Sequence, residues 1–98
     1  MPSLPVRLSE EATDEARSAY AWYAYRNPHA AQAFLRELDD AIESIAETPN
    51  AWPHHVGGTR RKLFTRFPFS LIYRETAGSI EVVAVAHQRR RPGYWADR

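Results

Sequence analysis

Apolar positions in the first half of the chain recur at helical spacing. Ala12, Ala16, Ala19, Tyr20 and Tyr23 form one stripe at a period of 3.6, which predicts an amphipathic helix over residues 10–26. Ser9 stands before it as an N-cap, and Glu10, Glu11, Asp14 and Glu15 crowd its first turns, where carboxylates favour the positive end of the helix dipole. The stripe is narrow and mostly alanine, so a partner element can approach closely. Trp22 and Tyr25 lie beside or opposite it, as rim residues or as part of a binding surface. Asn27-Pro28 stops this helix and starts another, with Asn as N-cap and Pro at the first helical position, where its missing N–H costs nothing. The second helix runs to about Glu47, with Phe34, Leu38, Ala41, Ile42 and Ile45 inside and Arg36, Glu37, Asp39, Asp40 and Glu43 toward water. Pro49 ends it, because the residue before a proline is pushed out of the helical region. Helices joined by so short a link form an antiparallel hairpin. The adjacent Asp39 and Asp40 diverge by about 100° on the ~3.6-residue turn, so they make a solvated face and not an acid–base pair.

From Arg60 the period changes to that of strands. Arg60–Phe67 alternates loosely, Pro68 breaks it, and Phe69–Glu75 sets Leu71 and Tyr73 on one face and Ile72 on the other. Thr76–Ser79 is a turn into Ile80–Ala86, where six of seven residues are apolar, a run that reads as a strand buried on both faces. Leu4–Leu8 is a further short strand, and the place beside Ile80–Ala86 gives that strand the two neighbours its composition demands. Residues 48–59, with two prolines and two glycines, read as a loop whose Trp52 lids the helical hairpin. The expected class is α+β in the order β-α-α-β-β-β: a small twisted, largely antiparallel sheet with the helical hairpin on one face. At 98 residues the chain is expected to be one domain, residues 1–98.

Composition narrows the chemistry. There is no cysteine, hence no disulfide or thiolate metal site, and His29, His54-His55 and His87 lack the spacing of metal ligands, so neither metal nor other cofactor is expected. No apolar run approaches the ~20 residues of a membrane helix, and the N-terminus is not laid out as a signal peptide, so a cytoplasmic protein without a membrane partner is expected. The net charge of +1 conceals a separation. Residues 1–50 carry nine acidic and four basic side chains (−5), residues 51–98 three acidic and nine basic (+6). The second half would attract an anionic partner.

That charge concentrates after the last strand, where His87, Arg89, Arg90 and Arg91 precede a Pro92-Gly93 break and the rings of Tyr94 and Trp95. These six side chains are the expected target- or partner-binding surface, since Arg, Tyr and Trp dominate binding hot spots. If the strand extends this far, Arg89 and Arg91 share the side of His87 and Arg90 faces away, with Arg89 held partly buried against the sheet. Glu75 and Glu81 sit at the far, turn end of the hairpin, which leaves the arginines without an internal partner.

The order of elements, Arg66-Phe67-Pro68-Phe69 with Tyr73-Arg74, and the ending His87–Trp95 resemble the RelE/ParE superfamily of toxins of type II toxin–antitoxin systems, nearest in likeness to its ParE-like, plasmid-stabilisation branch. The resemblance runs from Val6 to Trp95, and before Arg60 it is one of pattern alone. It implies two mechanisms. RelE-like members are ribosome-dependent, metal-independent endoribonucleases of mRNA that stabilise charge with cations and move protons with a tyrosine or lysine. For that chemistry the matching positions supply Arg61, Lys62, Arg89 and Tyr94, but Ser70 stands where an arginine is expected and Trp95 where the tyrosine is. ParE-like members poison DNA gyrase by binding, without chemistry of their own. The resemblance thus implies a growth-inhibiting toxin acting on gyrase, with no enzymatic activity, and the ribosome and its mRNA as the alternative target. It also implies a cognate antitoxin, ParD-like or similar, acidic and folding on the toxin. A nucleic-acid-binding module is the third class, disfavoured because no helix carries the basic residues.

Overall fold

A computed structural model describes residues 3–98. The elements are β1 (Val6–Leu8), α1 (Glu10–Arg26), α2 (Pro28–Glu47), β2 (His54–His55), β3 (Thr59–Leu63), β4 (Phe69–Thr76) and β5 (Ser79–His87). The strands form one sheet in the order β1-β5-β4-β3-β2, parallel between β1 and β5 and antiparallel elsewhere. The first strand therefore lies beside the last, as the apolar run of β5 demands. Both helices start as their caps predict: the Ser9 hydroxyl accepts from the Ala12 N–H at 3.0 Å, and the Asn27 side chain accepts from the His29 N–H.

The helical hairpin covers one face of the sheet. Ala12, Ala16 and Ala19 of α1 and Phe34, Leu38, Ala41 and Ile45 of α2 are buried against Phe69, Leu71, Tyr73, Ile80, Val82 and Val85. Trp52 packs partly buried against the same cluster, and the Tyr73 hydroxyl donates to the Pro49 carbonyl at 2.6 Å, tying the loop after α2 to β4.

Three features depart from the sequence reading. His54 and His55 form a short fifth strand on β3 in the segment whose prolines and glycines predict only loop. The strand before Pro68 ends at Leu63, and Phe64 turns inward to join the core. Glu37, expected in water, holds that turn instead: its carboxylate accepts from the Thr65 hydroxyl at 2.6 Å and from the Thr65 and Arg66 N–H groups.

A β-bulge in β5 positions the functional end of the molecule. The register slips between Ile72 and Tyr73, so that Val82 pairs with Tyr73 and Ala84 with Ile72, which leaves Val83 as the extra residue. Ile80 and Val82 face the helices before the bulge, and Val85 faces them after it. Val83, Ala84 and Ala86 are turned to the outer face, where they pack with Ile72 and Trp95. Both faces of β5 are thereby buried, one by helices and the other by the last stretch of the chain itself. Among the described residues no helix is long and apolar enough to cross a membrane.

Candidate functional site

β5 ends at His87, so the condition for alternation among the arginines, a strand that extends through them, is not met. The His87 carbonyl accepts from the Arg90 N–H at 3.0 Å and His87 Nδ1 accepts from the Arg89 N–H at 3.0 Å, so the backbone folds back at once. The alternation of Arg89, Arg90 and Arg91 that an extended strand would impose is therefore absent. All three are exposed, and Arg89 is not the partly buried member of the set. The bulge puts His87 on the helix side, where its ring meets Phe69 edge-on at 5.0 Å. No carboxylate of the described residues lies within salt-bridge distance of the three arginines. Glu81 is engaged at the turn end with Arg74 (2.9 Å) and Arg7 (3.4 Å), as the geometry of the hairpin requires.

Pro92 and Gly93, the latter at φ +82°, turn the chain onto the outer face of the sheet. Trp95 is only 5% exposed there, beneath a His55 ring stacked at 5.2 Å. The expectation of Trp95 as a contact for a partner is corrected accordingly: its indole fills the second core, because the small side chains Ala84 and Ala86 leave room for it. Tyr94 lies half-buried beside it. Its hydroxyl donates to Glu15 Oε2 at 2.6 Å, and its ring carries the Arg90 guanidinium at 4.0 Å. Burial and the Glu15 bond push the Tyr94 hydroxyl well above the usual phenol range.

Sequence reasoning missed Glu15. It reads as one of four carboxylates near a helix N-terminus, yet it is the centre of the site. Oε1 accepts from the Val85 N–H (3.0 Å) and from Arg98 Nη1 (2.9 Å), and Oε2 from Tyr94 and from Arg98 Nη2 (3.2 Å). All these partners lie 70 or more residues away, out of reach of any local pattern.

Two depressions flank this end of β5. On the helix side an open groove of about 830 Å³ runs between α1 (Asp14, Ser18, Trp22) and the tip (His87, Arg89, Arg90), and Trp22 is 53% exposed on its rim. On the outer face a smaller pocket of about 260 Å³ is lined by His55, Arg61, Ser70, His87, Arg90 and Trp95, among others. The expected alternation of β3 holds: Arg61 reaches this pocket, whereas the Lys62 ammonium sits 4.1 Å over the Trp52 ring and is absent from its lining. Burial, and then the Arg61 charge, depress the His55 pKa, which favours a neutral imidazole. Of the four residues that a nuclease would use, Arg61 is thus in the pocket, Lys62 is outside it, Arg89 lines only the larger groove, and the Tyr94 hydroxyl is committed to Glu15.

The architecture is shared with known proteins. A chain of the chromosomal ParDE toxin–antitoxin system from P. aeruginosa superposes with a TM-score of 0.76 at 18% identity, covering 87% of this chain and 96% of that one. No curated protein sequence matches. The family model of the ParE toxin of type II toxin–antitoxin systems, parDE, matches residues 6–92, which takes in every strand, both helices and the three arginines. The chain therefore belongs to the ParE toxin family of type II toxin–antitoxin systems.

Proposed function

We propose that this toxin arrests growth by binding an essential target, DNA gyrase, through the basic tip after β5, and that a cognate ParD-like antitoxin neutralises it. The observation that carries the reading is the state of Arg89, Arg90 and Arg91: exposed, without a carboxylate partner, and set directly after the double-faced core strand. Exposed and unpaired guanidinium groups remain free for an external anion, and the rigid strand lowers the entropy lost when they bind. The committed Tyr94 hydroxyl and the buried Trp95 argue against a proton-transfer tyrosine at this end. Purified protein added to gyrase should inhibit supercoiling while leaving ribosome-bound transcripts intact. Cleaved transcripts with untouched supercoiling would reverse the assignment.

The second reading, a RelE-like ribosome-dependent endonuclease, draws on one observation, the pocket that gathers His55, Arg61 and Arg90 on the outer face. A neutral histidine beside two guanidinium groups has the composition of a phosphodiester site. In that case His55→Ala would abolish arrest; a gyrase-binding toxin should tolerate it.

A further inference from the structure

We propose that Glu15 is the positioning residue of the basic tip: its carboxylate fastens residues 94–98 across the open edge of β5 and, through Tyr94, sets where Arg90 stands. β1 pairs with β5 only through Val82, so beyond that residue one edge of β5 has no neighbouring strand. A buried backbone group left there without a partner is costly. Side chains and α1 take the place of the missing strand. The Val82 carbonyl accepts from the Ser9 N–H at 3.0 Å, the Val83 carbonyl accepts from Arg98 Nη1 at 3.1 Å, and the Val85 N–H donates to Glu15.

The Glu15 carboxylate meets both the strand and the last stretch of the chain from α1, as the Arg74 guanidinium does from β4 through Glu81 and the Arg98 carbonyl. Its carboxylate receives four hydrogen bonds, including a two-pronged pair from Arg98, with side chains 17% and 19% exposed. Charge-assisted, two-pronged bonds with so little solvent are the strong and geometrically selective ones. The consequence reaches the tip through the Tyr94 ring, which Glu15 holds by its hydroxyl and over which Arg90 lies at 4.0 Å and Arg98 at 5.0 Å. The backbone of residues 91–98 forms single turns, in which the Tyr94, Ala96 and Arg98 N–H groups donate to the Arg91, Gly93 and Trp95 carbonyls. Released from Glu15, the segment keeps the packing of Trp95 on β4 and β5 and the Arg74 bond to the Arg98 carbonyl, but Tyr94 loses its tie to α1, and Arg90 loses the fixed ring beneath it.

For activity the inference rests on the reading of the tip as the working surface, but its structural half does not. Amide hydrogen exchange on the full chain separates the two. In Glu15→Ala the amides of Val85, Tyr94, Ala96 and Arg98 should exchange at least about tenfold faster, while those of Leu38, Ala41 and Ile45 in α2 keep their wild-type rates. Glu15→Gln, which keeps an acceptor, should restore part of the protection. Should Glu15→Ala fail to fold, Tyr94→Phe gives the same test with a smaller acceleration confined to the same amides. Unchanged protection at the tip, or a uniform acceleration through α2 as well, would overturn the proposal. Growth arrest supplies the second arm. Arg90→Ala and Glu15→Ala should weaken it by similar factors, and the double variant no further than the stronger single. If Glu15→Ala loosens the tip while arrest is untouched, the positioning role for Arg90 is refuted.

Discussion

At the scale of the residue, Tyr94 separates binding from chemistry. Its hydroxyl is spent on Glu15, so Tyr94→Phe removes one hydrogen bond and keeps the ring under Arg90. A toxin that acts by binding should lose no more than about tenfold in activity, in line with the ~0.5–1.5 kcal/mol of one hydrogen bond. A tyrosine serving as acid or base would be worth roughly 10²–10⁴-fold. Growth-arrest titration of the folded variant distinguishes these, and complete loss would favour the nuclease. Glu37 provides a test by pH. Burial alone would raise its pKa, but the bonds from Thr65 and Arg66, with the Arg66 charge, outweigh that and lower it. With a folded pKa below the unfolded value near ~4.3, its contribution is present above that pH and fades as the pH falls through the folded pKa. The thermal midpoint of Glu37→Gln should thus lie below wild type at pH 7 and converge on it toward pH 3. A gap that persists in acid would show that the charge of Glu37 is not what holds the Phe64–Phe67 turn.

At the scale of the element, the local signals were strong where the chain's own neighbours decide the structure. Ser9, Asn27-Pro28 and the alanine stripe determine α1 and α2 to the residue, since caps and periodicity act within a few positions. β2 was not legible: His54 and His55 become a strand only because β3 presents an edge to them, a pairing that prolines and glycines on either side conceal. The bulge at Val83 was equally hidden, because an unbroken apolar run carries no alternation from which a change of face can be read. The β4–β5 turn carries a measurable cost. Thr76 pairs with Ser79, and both residues between them have positive φ, Ala77 at +46° and Gly78 at +82°. Two-residue turns of that kind favour Asn-Gly, and a left-handed alanine costs roughly 1–2 kcal/mol. Ala77→Asn should raise stability by about 0.5–1 kcal/mol, or several degrees in Tm for a domain this size. A lower urea midpoint would contradict that account of the turn.

At the scale of the whole molecule, the sequence already implied a helical hairpin on a sheet with a doubly buried last strand, and the family resemblance pointed to the toxin. What it could not convey is how the second face of that strand is covered. Trp95 and Tyr94 follow a Pro-Gly break, and such a segment has no periodicity to say that it folds back onto Ile72, Val83 and Ala86. Composition alone therefore assigned Trp95 to the surface and Glu15 to a helix dipole, when the two belong to one closure of the fold. The charge separation along the chain survives this correction, because Arg98 turns inward to Glu15 while Arg89, Arg90 and Arg91 do not turn inward. Whether these exposed arginines form the working surface is decided by Arg89→Ala together with Arg91→Ala, scored for growth arrest beside a cooperative thermal melt. Loss of arrest with the melt intact is the predicted result; a folded double variant that still arrests growth at wild-type expression would contradict it.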